Sequence, residues 1–369
     1  MHPRLYCFSL ATVTLLLSLA SPLYGRSLQS PSPETPIGMT RDLAQTPSAQ
    51  SRKAEAERLF QKGVQQFRSG QFRDALQTYQ QVLVIRKELG DRAGVGETLN
   101  NIGSSYSQLQ DYPKAIDYYQ QSLVISRKIQ NRAIEANTLN SLGLTYNWMK
   151  DSKKAIEFFQ QSLTIARELH DRQVEQQALS NLGFAYHALG DYAKEVDYYA
   201  QSLLVAKELG DPTQELIALF QMGFGYYWLN DYTKAIDYYQ QSLAIARKIG
   251  DRYSEGNILG ELGEDYYYIG DYTKAIEYYQ QSLALSQQTN NRDREGSVLS
   301  SLGNAYNSQS NYTKAIEYYQ QALVIAREVS NRNTEGNALS GLGSIYSNQG
   351  DYAKAIEYDK LLPPSRYWI

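Results

Sequence analysis

The chain has one cysteine, Cys7, and three histidines, His2, His170 and His187, in 369 residues. A disulfide needs a second thiol, and a zinc site or a Cys/His catalytic pair needs side chains that converge; Cys7 and the two internal histidines lie too far apart in the pattern for either. A basic surplus is missing too. Beyond residue 50 there are 33 Lys and Arg against 37 Asp and Glu, so the phosphate-neutralising excess of a nucleic-acid binder is absent and nucleic acid is set aside as a partner. No Gly-Lys-Ser/Thr run follows a strand-like segment, which removes a phosphate loop. The recurring Gly-Asp pairs lack the dense carboxylates of a calcium loop, so neither a metal nor a cofactor is implied. After residue 20 no stretch is apolar enough to cross a bilayer, and stable membrane insertion is not expected.

What is present begins with His2 and Arg4, followed by an apolar run over 5–20 that ends Ser18-Leu19-Ala20 before Ser21-Pro22. This reads as a cleaved export signal over 1–20, with an uncleaved anchor as the alternative; the run is shorter than the roughly twenty residues a span needs. The expected location is periplasmic or secreted. Residues 21–50 hold Pro22, Pro31, Pro33, Pro36 and Pro47 among many Ser, Thr and Gln, a composition that cannot collapse and reads as a flexible spacer.

Residues 270–283, Gly-Asp-Tyr-Thr-Lys-Ala-Ile-Glu-Tyr-Tyr-Gln-Gln-Ser-Leu, organise the rest. Tyr272 recurs as Tyr112, Tyr192, Tyr232, Tyr312 and Tyr352, with Phe72 and Ser152 in the other two slots of a 40-residue register. Seven units follow, 53–92, 93–132, 133–172, 173–212, 213–252, 253–292 and 293–332, and a shortened eighth over 333–359 before an irregular tail, 360–369. Asp91, Asn131, Asp171, Asp211, Asp251, Asn291 and Asn331 are placed to cap each first helix, and Pro212 fits a first helical position. Leu99, Ile102, Gly103 and Tyr106, with their equivalents 40 residues on, fall on one helix face. The second helix buries Ala275, Ile276, Tyr279 and Leu283, and Lys274 with Glu277, like Arg252 with Glu255, reads as a solvated pair of a few tenths of a kcal/mol. The period predicts an all-α array of stacked helix-turn-helix units.

Leu-Gly-x-x-Tyr followed by Gly-Asp-Tyr-x-Lys-Ala-Ile-x-Tyr-Tyr resembles the tetratricopeptide repeat, over about residues 53–358. The 40-residue spacing with Ile-Ala-Arg-Lys-Ile-Gly-Asp-Arg at 245–252 is similar to the long-helix variety found in cell-polarity adaptors and in secreted or signalling proteins of cyanobacteria. The resemblance implies a right-handed α-solenoid, a superhelix whose concave wall of first helices holds a peptide or protein partner. It implies a bacterial, plausibly cyanobacterial, source. Among such relatives the array often precedes a caspase-like (CHAT-type) peptidase domain. Glu195 at a packing-alanine position and Ser152 at a tyrosine position predict looser packing in the third and fourth units.

Function is then sought where repeats differ. On each first helix, positions −6, −3, +1, +4 and +5 from the repeated glycine form a second stripe. The third unit supplies Asn140, Leu144 and Trp148, and the fourth Phe184 and His187. In the fifth the stripe is wholly apolar or aromatic, with Phe220, Phe224, Tyr227 and Trp228; the sixth adds Tyr267 and Tyr268, and the seventh Asn304 and Asn307. The resemblance places this stripe in the groove and makes the residue after the glycine a clamp for ligand backbone, a position where Asn304 alone carries the family's asparagine. These thirteen residues are the candidate partner-binding set, with inter-helix core as the alternative for the aromatics. Phe60, Val64 and Phe67 mark the first unit as a capping variant. The reading is a non-catalytic exported scaffold for a protein or peptide. A carbohydrate binder, and the regulatory arm of an enzyme, stay open beside it. The oligomeric state is not legible.

Overall fold

A computed structural model describes residues 48–362, so the expected signal over 1–20 and nearly all of the spacer lie outside the described residues, as does the tail beyond 362. Among the described residues there are sixteen helices and no strand, as the period predicts. They fall into two compact units divided between residues 189 and 190. The first holds α1 (Ala49–Arg68), α2 (Phe72–Glu88), α3 (Arg92–Gln108), α4 (Tyr112–Lys128), α5 (Arg132–Trp148), α6 (Ser152–Glu168) and α7 (Arg172–Ala188). The second holds α8 (Tyr192–Leu209), α9 (Pro212–Trp228), α10 (Tyr232–Ile249), α11 (Arg252–Tyr268), α12 (Tyr272–Gln288), α13 (Arg292–Ser308), α14 (Tyr312–Glu328), α15 (Arg332–Asn348) and α16 (Tyr352–Lys360). Within each unit every helix packs on the next, which makes each an α-solenoid of antiparallel hairpins. Helix α1 starts at Ala49, slightly before the expected array, because Ser48 accepts a hydrogen bond from the Ser51 N–H at 3.1 Å.

The turns share one design. A left-handed residue follows the helix end, and an Asp or Asn caps the next helix everywhere but at α2, where Gln71 makes no side-chain cap. Gly270 takes the left-handed seat at φ 83°, where a side chain would be strained. His170 takes the same seat at φ 54°, which gives this histidine a turn position. The capping expected of Asp91, Asn131, Asp171, Asp211, Asp251, Asn291 and Asn331 is present: Asp251, for example, accepts from the Ser254 N–H at 3.0 Å. Pro212 opens α9, where its missing N–H has no intrahelical partner to lose.

The repeated glycine is where the hairpin closes. A Cβ on Gly263 would lie 2.5 Å from Cδ1 of Tyr279, and one on Gly143 would lie 2.5 Å from Cε1 of Phe159. The ring facing the glycine is sealed: Tyr119, Phe159, Tyr239, Tyr279 and Tyr319 are all buried. A second bond fixes register. The hydroxyls of Ser122, Ser162, Ser242 and Ser282 donate to the carbonyls of Gly96, Ala136, Leu216 and Gly256 on the facing first helix, at 2.7 to 3.1 Å. Nearer the turn, Tyr266 stacks on Tyr278 at 5.3 Å, a pairing repeated by Tyr106 with Tyr118 and Tyr306 with Tyr318.

Both surface ion pairs expected from the sequence need correction. Lys274 pairs with the capping Asp271 at 3.4 Å and lies 5.0 Å above the Tyr266 ring, so the tyrosine stack draws it away from Glu277. Glu255 is buried, with a side chain 6% exposed, and takes Arg247 of the preceding second helix at 2.8 Å as well as Arg252 at 2.8 Å. Glu135 and Glu175 are held alike by Arg127 and Arg132, and by Arg167 and Arg172. Burial by itself would raise these three carboxyls; the arginine hydrogen bonds and charges outweigh it and leave all three below the ordinary glutamate value. These are ties between successive hairpins, not solvated pairs.

Two outcomes are expected. Gly263→Ala should lower stability by about 1–3 kcal/mol in chemical denaturation, because the clash with Tyr279 exceeds the roughly 1 kcal/mol of helix propensity that alanine adds. The glutamate ties have folded pKa values below the unfolded ones, so their contribution is complete above about pH 4.5 and drains as pH falls through the lowered values. The thermal midpoint should therefore drop between about pH 5 and pH 3, and Glu255→Gln should drop less over that window while being less stable than the parent at neutral pH.

Candidate partner-binding site

In the first compact unit the stripe lies on α5 and α7. Asn140 is buried, and its Oδ1 accepts from Nδ2 of Asn181 at 2.9 Å, tying one first helix to the next. His187 is 3% exposed, so it forms part of the wall and not its surface. Leu144, Trp148 and Phe184 are half-buried. Leu144 follows the repeated glycine, where Ser104 in α3 accepts from the Tyr119 hydroxyl at 3.2 Å. In the Leu144 repeat the facing ring is Phe159, so the hydroxyl and its acceptor have gone together and no buried polar atom is stranded. Ser152, too, is accommodated: it is buried and donates to Asn147 Oδ1 at 2.9 Å.

In the second unit, Phe220, Phe224, Tyr227 and Trp228 of α9 are neither sealed core nor open surface; all four are half-buried. Phe220 lies 5.4 Å from the buried Tyr239 ring, and Phe224 meets Trp228 edge to face at 6.2 Å. Trp228 stacks on Tyr192 at 5.4 Å, and Tyr268 stacks on Tyr232 at 5.3 Å. Tyr227 stands nearly perpendicular to Trp228 at 5.7 Å and touches both Tyr232 and Tyr268 at 5.6 Å, linking the two stacks. Tyr267 continues the run to Tyr272 at 5.4 Å. The structure thus brings five of the expected residues, Phe224, Tyr227, Trp228, Tyr267 and Tyr268, into one aromatic edge. Tyr192, Tyr232 and Tyr272 complete it. Sequence reasoning treated those three as markers of the register. The 36-residue spacing from the start of one second helix to the end of the next first helix finds Tyr192 beside Trp228 and Tyr232 beside Tyr268, while Tyr272 meets Tyr267 across the turn of one hairpin.

Glu195, expected to loosen its neighbourhood, is 1% exposed. Across from this segment stands Gly225, where a Cβ would lie 2.6 Å from Cγ2 of Val196, so α9 packs close against α8 here and the neighbourhood is tight, not loose.

Asn304 keeps an oriented amide. Its Oδ1 accepts from the Tyr319 hydroxyl at 2.6 Å, which fixes the side chain and turns the NH2 into a defined donor. Burial raises the Tyr319 phenol well above its ordinary value and pushes the equivalent Tyr119 up to about 12, so both stay protonated donors at physiological pH. Asn307 is half-buried nearby in sequence, and the Tyr267 hydroxyl lies 3.1 Å from Ser308 Oγ. Arg294, which sequence reasoning missed, binds Asn257 Oδ1 at 2.9 and 2.6 Å from α13. It also fills the space above Gly260, so the stripe of α11 is roofed by a cation at that end. Among the described residues no group of three or more His, Cys, Asp or Glu is arranged to hold a metal ion, and no helix is long and apolar enough to cross a membrane.

The tetratricopeptide repeat profile matches residues 63–128, 134–208, 214–288 and 294–360. No curated protein matches the chain by sequence. Among solved structures, a STAND signal-transduction ATPase with a tetratricopeptide repeat sensor from Pyrococcus horikoshii is similar at 18% identity and TM-score 0.67, over 85% of this chain and 47% of that one. The chain thus spans about half the length of that protein. Aspartyl phosphate phosphatase F from Bacillus subtilis is similar at 14% identity and TM-score 0.55, over 90% and 97% of the two chains. A Rap protein in complex with competence and sporulation factor follows at 15% identity and TM-score 0.50, over 84% and 96%. At these identities the likeness is one of fold.

The aromatic edge carries a graded expectation. Trp228→Ala removes a half-buried indole that packs on Tyr192, Phe224 and Tyr227 and should cost about 2 kcal/mol, roughly half the loss for a fully buried ring. Tyr268→Ser, at a site 41% exposed, should cost about 1 kcal/mol or less. Urea unfolding of the two variants beside the parent tests the ordering; equal large losses would make the whole edge core.

Proposed function

The chain belongs to the tetratricopeptide repeat family, and from that premise we propose that it is a non-catalytic, exported scaffold that holds an extended segment of a protein partner against its first helices. Proteins of this family are protein-interaction scaffolds, and that much applies here directly. The observation that carries the finer reading is on α9, where the largest apolar side chains of the stripe are half-buried while α3 has serine and α13 asparagine at equivalent positions. Half-buried aromatics supply binding energy, and an amide fixed as Asn304 is by Tyr319 supplies direction to a ligand backbone. The similar Rap protein is complexed with competence and sporulation factor, which supports a ligand of that kind here. Export rests on residues 1–20 alone.

A carbohydrate ligand is disfavoured by the ring geometry. Sugar stacking needs open ring faces, and Tyr192 with Trp228, and Tyr232 with Tyr268, each spend one of their two faces on one another. A sensing arm within a larger protein is a second reading, supported by the STAND protein, where a comparable fold is the sensor.

Panning a random peptide display library on the full chain, with a glycan array in parallel, tests the scaffold. Enriched peptides whose affinity falls by about tenfold or more in Phe220→Ser and Asn304→Ala support it. Glycan hits with no peptide enrichment overturn it. For export, the mass of the protein recovered from envelope or medium should lack residues 1–20; a retained 5–20 segment would favour an anchor.

A further inference from the structure

Two neighbouring turns of the second unit are unlike the rest. Tyr227, Trp228 and Leu229 lead into the turn from α9 to α10, and Tyr267, Tyr268 and Ile269 into the turn from α11 to α12. At the same three positions α13 has Asn307, Ser308 and Gln309, and α15 has Ser347, Asn348 and Gln349. Tyr268 joins the two turns, since it lies 5.6 Å from Tyr227 and stacks on Tyr232 at 5.3 Å. We propose that this edge is a shallow lipid anchor, which rests in the headgroup layer of a zwitterionic bilayer and sets Leu229 and Ile269 against the start of the acyl chains. The proposal goes beyond the peptide reading and stands without it, leaving Phe220 and Asn304 to the first-helix wall.

The order of the side chains is the first support. Leu229 and Ile269 are the C-cap residues of α9 and α11 and are 42% and 48% exposed, while Tyr227, Trp228 and Tyr267 beside them are half-buried. Bare aliphatic groups flanked by phenols and an indole match the layer between hydrocarbon and water, where rings with an apolar body and a polar tip collect. Charge is the second. Asp231 holds Lys234 at 3.0 Å and Asp271 holds Lys274 at 3.4 Å, so each turn cancels its own charge. An edge without free cations gains nothing from an anionic surface, and a neutral headgroup does not repel it. Size is the third. Two turns supply fewer residues than the roughly 20–30 a side that a stable protein interface takes, and the polar turns of α13 and α15 end the edge on that side. Lipid contact needs no matching surface and grows with each apolar side chain. The rings are also ordered by one another before any contact, so little side-chain freedom is lost on adsorption.

The test places one environment-sensitive fluorophore on the full chain carrying Cys7→Ser, either at Ile269→Cys or, as a control on the exposed face of α14, at Val324→Cys. Each label reports its own surroundings, so lipid contact made elsewhere in the chain moves neither. With phosphatidylcholine vesicles the label at 269 should shift to the blue, saturably and in high salt as in low, and the label at 324 should stay as it is in water. Leu229→Gln with Tyr268→Ser, which gives the edge the residues of α13, should weaken the vesicle affinity read at 269 by about tenfold or more. Circular dichroism on each variant confirms that it remains helical. No shift at 269, or equal shifts at both labels, overturns the anchor. So does a shift that needs anionic lipid and vanishes in salt, which would be a charge effect. A shift at 269 that follows protein concentration without vesicles also overturns it, and assigns the edge to a second copy of the chain.

Discussion

The approach of a tyrosine ring to a bare helix backbone sets the geometry on which each compact unit depends. At Gly263 and Gly303 a Cβ would meet the facing Tyr279 or Tyr319 ring at 2.5 to 2.6 Å, and at Gly103 the Tyr119 ring at 2.7 Å. Glycine weakens a helix by roughly 1 kcal/mol, yet the ring it admits is fully sealed, and burial of an aromatic side chain exceeds that loss. Once the two helices are this close, the serine three residues beyond the ring reaches the carbonyl of the facing helix, as Ser282 reaches Gly256 at 2.7 Å. Close approach comes first and the hydrogen bond depends on it.

Between hairpins a different interaction takes over. A buried carboxylate such as Glu255 would be unfavourable alone; two arginines, one from its own helix and one from the hairpin before, make it a tie that only stacked repeats can form. A single unit carries half of the tie, which is one physical reason that the array is stable only as an array. Where the first repeat lacks this pattern, Arg86 enters instead: it is buried, donates to Gly94 O at 2.8 Å and lies 4.3 Å from the Phe60 ring. Phe60, read from sequence as part of a capping variant, is sealed in the core beneath it.

The sequence made the period, the helix starts and the buried faces legible, because those follow from local rules: Asp251 caps whatever follows it, and Leu259 and Leu262 share a face at any tertiary arrangement. Partner choice among charged side chains was not legible. Spacing of three joins Lys274 to Glu277 and Arg252 to Glu255 equally well, and only tertiary packing reveals that Tyr266 claims the lysine while Arg247 reaches the glutamate. The candidate site was legible in half. Periodicity placed Phe224 and Trp228 on one helix edge, but Tyr192, Tyr232 and Tyr272 belong to other helices: the first two join the edge through the 36-residue offset between successive hairpins, and Tyr272 joins it by meeting Tyr267 across a turn.

Departures from the repeat fall into two physical kinds, and the difference bears on function. Some are compensated within the stack. Phe159 loses a hydroxyl where Leu144 loses its acceptor, Ser152 finds Asn147, Gly225 admits Val196, and Gly94 makes room for Arg86, whose Cδ would lie 2.7 Å from a Cβ there. Such pairs restore packing and leave the surface as it was; they are explained by the fold alone. The aromatics of α9 and α11 are of another kind, packing on one another and on Tyr192, Tyr232 and Tyr272 along one edge. Trp228 and Tyr268 stand where α3 and α13 have Gln108 and Ser308, and nothing in the hairpin requires the change, since those helices close around the same glycine and tyrosine without it. A large apolar side chain kept half in water is disfavoured unless something covers it. Stability explains the first kind of departure; the second adds an aromatic edge that the repeat closes without, and binding there is what we propose for it.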